Sequence, residues 1–390
     1  MSGGHAFLEL RKFLAPEFVF GAGAAWLAGR YAAGYGARRV LLVTDQGVRA
    51  VGWADRVAEC LREAGVAPVI FDAVRPNPRA SEVMQAAELY VAEECDALVA
   101  VGGGSPMDCA KGAGVAVSSG RHILDFSGVD RVERLCPPLI CVPTTAGSGA
   151  DVSQFALVVD PDELTSVPVI SKSVVPDVAL VDPVLTTTMP PALTADTGLD
   201  ALSHAMEAYA SNAASPVTDV HALTALRLIA RHLPEALDRP GDLAARGAVM
   251  LGSLHAGLAF SNAILGAVHA MAHALGGRLD LPHGRCCALL LEHVVNYNFD
   301  SAPERYAEVG RILGGGSHPD AAAGEVKAGL IAAIRRLKAR LGVVGGLGAL
   351  GVAPDDLGAL GALAAVDPCL VTNPRSALPG DLAAIYAQAI

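Results

Sequence analysis

Ala97-Leu-Val-Ala-Val101 runs directly into Gly102-Gly-Gly-Ser-Pro-Met-Asp108. A short, wholly apolar run bounded by glycine has the composition of a strand buried on both faces. The glycines then let the backbone turn and approach a ligand closely, and Pro106 suits the first turn of a helix. Strand, glycine turn and helix together predict a parallel α/β domain. Unpaired N–H groups at such a helix start attract anions, a pyrophosphate among them. The stretch is not GxGxxG, so the ordinary dinucleotide fingerprint is absent, and a ligand-free turn would use the same residues.

The pattern extends outward on both sides. Arg39–Thr44, Ala67–Phe71 and Pro138–Val142 have the same strand character, and Trp53–Ala64 and Arg79–Glu94 between them carry helical periodicity. Val152–Asp160 and Val167–Asp182 suggest a hairpin or strand excursion, followed by the last strand, Val178–Asp182. Thr186-Thr-Thr-Met-Pro-Pro191 then breaks the regular structure and marks a boundary, giving an α/β domain over 1–187 and a second domain over 188–390. From Ala192 onward Ala, Leu, Glu and Arg recur at 3.6-residue spacing, as in Val217–Leu237 and Ala322–Leu341, so the second domain is expected to be all helical. Breaks are expected at Gly314-Gly-Gly316 and at Gly342–Gly351.

Pro143-Thr-Thr-Ala-Gly-Ser-Gly149 also follows a strand, and its hydroxyls and glycines suit phosphate or ribose. Two such loops at strand ends in one domain favour a nucleotide cleft. Asp45 ends an earlier strand. A carboxylate there can accept hydrogen bonds from ribose hydroxyls and repel a 2′-phosphate, favouring NAD over NADP, although helix capping uses Asp equally well.

Metal chemistry is concentrated in the helical half. Asp200-Ala-Leu-Ser-His204 places a carboxylate and an imidazole on one helix face. His269 and His273 repeat the i, i+4 spacing, and His283 is expected in a loop beyond Gly276-Gly277. A single helical histidine is ordinarily packing. Two clusters of such groups point to a divalent metal, and three imidazoles with one carboxylate suit Fe²⁺ or Zn²⁺. His5, His122, His221, His232, His255, His293 and His318 have no comparable companion.

The 390 residues are 52% hydrophobic and 18% charged, enough for a large core and against disorder. The formal charge is −11 with only five lysines, and no basic run is present, which argues against nucleic acid. No secretory or membrane segment is recognised, so a cytoplasmic protein without a membrane partner is expected. The eight cysteines contain no CxxC pair and are expected to be reduced thiols.

At these motifs the chain resembles the iron-containing (group III) alcohol dehydrogenases. The resemblance runs from about Phe18 to the end and is carried by Gly102–Asp108, Pro143–Gly149, Thr197-Gly-Leu-Asp-Ala-Leu-Ser-His-Ala-Met-Glu-Ala-Tyr209, Gly266–His273, Pro282-His-Gly284 and Thr372-Asn-Pro-Arg375. It implies the dehydroquinate synthase-like fold of that family, with an N-terminal dinucleotide-binding domain, a helical domain and a metal between them. It implies Asp200, His204, His269 and His283 as metal ligands, with His273 beside the nicotinamide as the catalytic histidine. It implies NAD contacts from Asp45, Gly102, Gly103, Gly104, Ser105, Asp108, Thr144, Thr145 and Ser148, and Asn77 of Pro76-Asn-Pro78 near the adenosine. The implied activity is NAD-linked interconversion of a primary alcohol and an aldehyde by a homodimer or larger homo-oligomer. A dehydrogenase-like sensor of low turnover and a glycerol-type polyol dehydrogenase are the rival readings.

Four features depart from the family pattern. Asp151 replaces a usual glutamate, and Ser166 replaces a lysine often found near the cofactor. Glu292 replaces a common proline, and Cys286-Cys287 is unusual just after the metal motif. Two thiols would lie near the metal if that segment folds inward.

Overall fold

The computed structural model describes residues 12–315 and 322–390. Gly316, His5 and His318 lie outside the described residues. The described residues form two compact units, one of Ala15–Met189 with Pro240–Met250, the other of Pro190–Arg239 and the described residues of 251–390 with residues 12–14.

The first unit is an α/β layer structure. Its strands are β1 Glu17–Phe20, β2 Arg39–Val43, β3 Ala67–Phe71, β4 Ala97–Gly102, β5 Gly128–Val129, β6 Leu139–Pro143, β7 Phe155–Asp160, β8 Thr165–Ile170 and β9 Val178–Val181. Six of them form a parallel sheet in the order β1-β9-β6-β4-β2-β3, and β7 and β8 form the expected antiparallel hairpin, flanked by β5. The helices are α1 Ala28–Gly34, α2 Gln46–Ala50, α3 Trp53–Glu63, α4 Ala80–Ala92 and α5 Gly104–Ser119.

Both sheet faces are apolar, which explains the unbroken apolar runs. Leu41, Val43, Leu98, Ala100 and Cys141 face a cluster with Val83, Ala86 and Tyr90 of α4 and Ala110 and Ala113 of α5. Their neighbours Val40, Leu42, Val99, Val101 and Ile140 face the opposite cluster with Ala28 and Ala32 of α1 and Val57 and Leu61 of α3. Alternate residues of one strand therefore feed two cores. The chain steps from β2 outward to β3 and then returns to place β4 on the other side of β2. That reversal opens a crevice at the carboxyl ends of β2 and β4.

The second unit is helical, with no strand among its described residues. It contains α6 Pro191–Ala210 and α7 Pro216–Asp238, most of α8 Leu243–Ala263, then α9 Ala267–Leu279 and α10 His283–Asn298. α11 Pro303–Ile312, α12 Ala323–Arg340, α13 Leu357–Ala365 and α14 Pro379–Ala389 complete it. α6 packs on α7 and α10, and α9 on α10 and α13. α8 is long and apolar enough to cross a membrane, yet 67% of its apolar window is buried within the fold, as a core helix would be.

Two local expectations need correction. Gly276 and Gly277 do not break the chain. They are buried in α9, and the turn comes instead at Asp280, which adopts a left-handed φ of 52°. His283 is consequently not in a loop but is the first residue of α10, with Pro282 at the N-cap. Pro190 and Pro191 likewise start a helix, because a first-turn proline lacks only an N–H that would have no helical partner.

Candidate active site

In the α/β unit the two glycine loops meet. β4 ends at Gly102, α5 starts at Gly104, and Thr144 N–H donates to Gly102 O at 2.9 Å. A Cβ on Gly102 would lie 2.5 Å from Pro106 Cγ, one on Gly103 3.1 Å from Thr145 Oγ1, and one on Gly104 3.0 Å from Ser148 Cβ. The loop is therefore glycine because backbone and hydroxyl side chains close on it, which leaves the start of a sixteen-residue helix fit for a phosphate. Ser105 and Asp108 lie in the first turns of that helix. Asp45 follows β2 and caps α2, its Oδ1 accepting Val48 N–H at 2.9 Å. Asn77 adopts a left-handed φ of 52°, and its carbonyl accepts from Arg79 at 2.9 Å, while Val159 N–H holds the neighbouring Pro78 carbonyl at 2.8 Å.

Two of the departures also lie in this unit. Ser166 is on β8 opposite Val159. Asp151 is buried, and burial pushes its carboxyl up to about 6 against the opposing pull of its backbone hydrogen bond and of Lys111. Lys111 is buried too and donates to Ser153 O at 2.9 Å and Phe155 O at 2.7 Å, tying α5 to β7.

The helical unit gathers the metal candidates. His269 Nε2 lies 3.4 Å and His283 Nε2 3.6 Å from Asp200 Oδ1. Gly284 permits this approach, since a Cβ there would lie 2.7 Å from the Asp196 carbonyl of α6. Cys287, one turn beyond His283, puts its Sγ 3.6 Å from His283 Nε2. Donor atoms of Asp200, His269, His283 and Cys287 all lie within 4.8 Å of one another. His204 adjoins this group differently. Its buried ring stacks between Phe260 at 4.4 Å and His269 at 4.3 Å.

Two carboxylates missed in the sequence fix the imidazoles. Glu207 of α6 is 2.6 Å from His269 Nδ1 and also accepts Gly266 N–H at 3.1 Å and Val268 N–H at 2.6 Å. Its spacing of seven from Asp200, two turns along one face, was the available signal. Asp367 is 2.8 Å from His273 Nδ1 and also accepts Cys369 N–H at 2.8 Å. A carboxylate at Nδ1 fixes the Nδ1–H tautomer and leaves Nε2 as the basic nitrogen. Asn373 of the closing motif accepts Ala267 N–H at 3.1 Å, so Glu207 and Asn373 together cap the start of α9.

The electrostatics favour a cation. Burial opposes ionisation of Asp200, but His204, His283 and His269 outweigh it and hold the carboxyl far below its usual range. Burial also works against protonation of His269, but Cys287, Asp200 and Glu207 prevail and keep its pKa well above that of free imidazole. His283, buried beside other imidazoles, drops to about 4 despite Asp200. Asp200 Oδ1 and His269 Nε2 are buried and make no hydrogen bond. Such atoms are costly unless a cation satisfies them, so the donor set fits a divalent metal.

Residues 15–183 match the family model for iron-containing alcohol dehydrogenase, and residues 194–390 match its C-terminal counterpart. The chain belongs to the iron-containing alcohol dehydrogenase family. The dehydrogenase is 41% identical to 1,3-propanediol dehydrogenase of Klebsiella pneumoniae, over 97% of this chain and 98% of that one. It is 38% identical to the NAD-dependent methanol dehydrogenase of Bacillus methanolicus, over 97% and 99%. A solved 1,3-propanediol oxidoreductase superposes with a TM-score of 0.94 at 39% identity, covering 98% of this chain and all of that one. The dehydrogenase is thus an oxidoreductase acting on alcohols, built as a six-stranded parallel α/β unit followed by a helical unit.

Proposed function

We propose that the enzyme interconverts a small primary alcohol and its aldehyde, using one divalent metal, Fe²⁺ or alternatively Zn²⁺, and NAD. The observation that carries this reading is the pair of buried donor atoms without hydrogen bonds, Asp200 Oδ1 and His269 Nε2, facing His283 Nε2. The names of the relatives, propanediol and methanol dehydrogenases, support primary alcohols as the substrate class.

Asp200, His204, His269 and His283 would hold the metal, the His204 ring stacking on that of His269. When bound, the metal supplies Lewis-acid polarisation of an alcohol oxygen, which lowers that alcohol's pKa. Glu207 holds the His269 Nδ1 proton, so Nε2 is the nitrogen that would give up its proton and turn a lone pair to the metal. Asp367 does the same for His273, whose Nε2 is then able to take the hydroxyl proton and pass it toward solvent. Gly102–Gly104 with Thr144, Thr145 and Ser148 would seat the NAD pyrophosphate at the start of α5, and Asp45 would accept from the ribose and exclude a 2′-phosphate.

The test is anaerobic loading with one metal equivalent, followed by NADH formation across methanol, ethanol, 1-propanol, 1,3-propanediol and glycerol. Metal-dependent turnover that is faster with the primary alcohols than with glycerol is expected. Stoichiometric metal and bound NAD without turnover on any alcohol would defeat the reading.

A further inference from the structure

We propose that His221 and His255 form a second cation site, one that takes a divalent ion of the nickel or copper class and shares no residue with the Asp200 group. The two histidines lie 34 residues apart in the chain, so neither has a companion in the sequence.

Packing within the helical unit brings them together. His221 is on α7 and His255 on α8. A Cβ on Gly252 of α8 would lie 2.7 Å from Ile229 Cγ1 of α7, so glycine lets these helices close on each other. Three residues beyond Gly252, His255 Nδ1 lies 2.8 Å from His221 Nδ1. Phe13 stacks on the His221 ring at 5.4 Å, and Leu14 exchanges two hydrogen bonds with Asn262 of α8, at 2.7 and 3.0 Å. The pair thus sits among three segments fastened to one another. Both histidines are half-buried, which leaves an ion a path from solvent.

The spacing selects the ion. Two nitrogens bound at about 2.1 Å stand about 3.0 Å apart at a right angle and about 3.4 Å apart at the tetrahedral angle. Starting from 2.8 Å, a square or octahedral ion needs about 0.2 Å of opening with a small ring rotation, whereas a tetrahedral ion needs about 0.6 Å. Nickel(II) and copper(II) therefore suit the pair better than zinc, with water in their remaining positions.

The proton balance is simple. Burial lowers His221, and burial together with the neighbouring ring lowers His255, so both are neutral at pH 7. In the free pair one Nδ1–H donates to the other Nδ1. As the ion binds, that proton leaves for solvent and the same ring gains one at Nε2. Two neutral Nε2–H imidazoles then face the ion, and no proton is released overall.

Calorimetric titration of nickel(II) into enzyme loaded with one equivalent of zinc tests this without turnover. The wild type should take up one equivalent of nickel while its zinc content stays unchanged. His221→Gln and His255→Gln should each weaken that binding by at least about tenfold, because even an outer partner of a metal is worth about 10–100-fold. His232→Gln should leave it intact. In the wild type, nickel should also protect His221 and His255 from diethyl pyrocarbonate while His232 stays reactive, a result that needs no variant to fold. Failure to bind nickel, or nickel entering only as zinc leaves, would overturn the proposal. So would equal affinity in both Gln variants, which would mean an adventitious ion only, or unprotected His221 and His255 in nickel-saturated enzyme.

Discussion

Removing the charge of Glu207 should weaken a metal it does not touch. One carboxylate here serves three donors, namely Gly266 N–H, Val268 N–H and His269 Nδ1–H, at 3.1, 2.6 and 2.6 Å. Glu207→Gln keeps the shape but leaves one acceptor oxygen, so at least one buried donor must face an NH₂ group. An unsatisfied buried donor costs about 1–3 kcal/mol. Loss of the negative charge at the start of α9 adds about 0.3–2 kcal/mol. Stability of the metal-free protein should therefore fall by roughly 1–5 kcal/mol in urea unfolding. His269 also loses the partner that sets its tautomer, and such outer partners are worth about 10–100-fold in metal affinity. Competition with a chromophoric chelator would measure that loss in folded protein. Asn373→Ser supplies the control, because Asn373 caps Ala267 N–H of the same helix without touching His269. It should cost stability and spare affinity. Metal binding by Glu207→Gln within about twofold of wild type would refute the orienting role, against the 10–100-fold expected.

Other outcomes follow from the same contacts. His273→Ala should retain its metal but lose about 10²–10⁴-fold in kcat and one limb of the pH–rate profile, with Asp367→Asn giving a milder version; unchanged kcat and pH dependence would make His273 a packing residue. Asp45→Asn keeps a capping oxygen for Val48 N–H while removing the charge, so it should narrow the preference for NAD over NADP at unchanged stability. A wild type that uses NADP better than NAD would remove the basis for that role. Asp151, raised by burial from 3.8 to about 6, holds its proton more tightly when folded, so its contribution to stability is fully present below pH 3.8 and is lost as pH rises through 6. The stability of wild type relative to Asp151→Asn should fall by up to about 3 kcal/mol across that window, and a flat difference between pH 3.5 and 7 would contradict the buried carboxyl.

The elements legible in the sequence were those that bury two faces or a long stripe. β2, β4 and β6 announced themselves as unbroken apolar runs because each supplies both cores of the sheet. β1 was missed because Glu17-Phe-Val-Phe20 is a short edge strand, largely exposed, that pairs only with β9 and needs no such run. β5 is two residues with no pattern to detect. Among the site residues, the i, i+4 pairs were visible because a helix makes them neighbours without help from the fold. Glu207 and Asp367 reach His269 and His273 across 62 and 94 residues, distances that only tertiary packing closes. Cys287 was visible as an oddity but not as a neighbour of His283. Once His283 was placed in a loop, the four-residue spacing lost its meaning.

α9 shows what the packing adds. Local geometry puts His269 and His273 on one face and makes them near equivalents. The fold distinguishes them by the segment that supplies each Nδ1 acceptor. Glu207 comes from α6, the helix that also carries Asp200, so fixing His269 at Nδ1 aims its Nε2 at a carboxylate 3.4 Å away on that same helix. Asp367 comes from the turn before a short 3₁₀ segment, Pro368–Thr372, and fixes His273 at Nδ1 from 94 residues further along the chain. Two identical side chains one turn apart thus acquire different environments, and the difference is written in Glu207 and Asp367 rather than in the histidines.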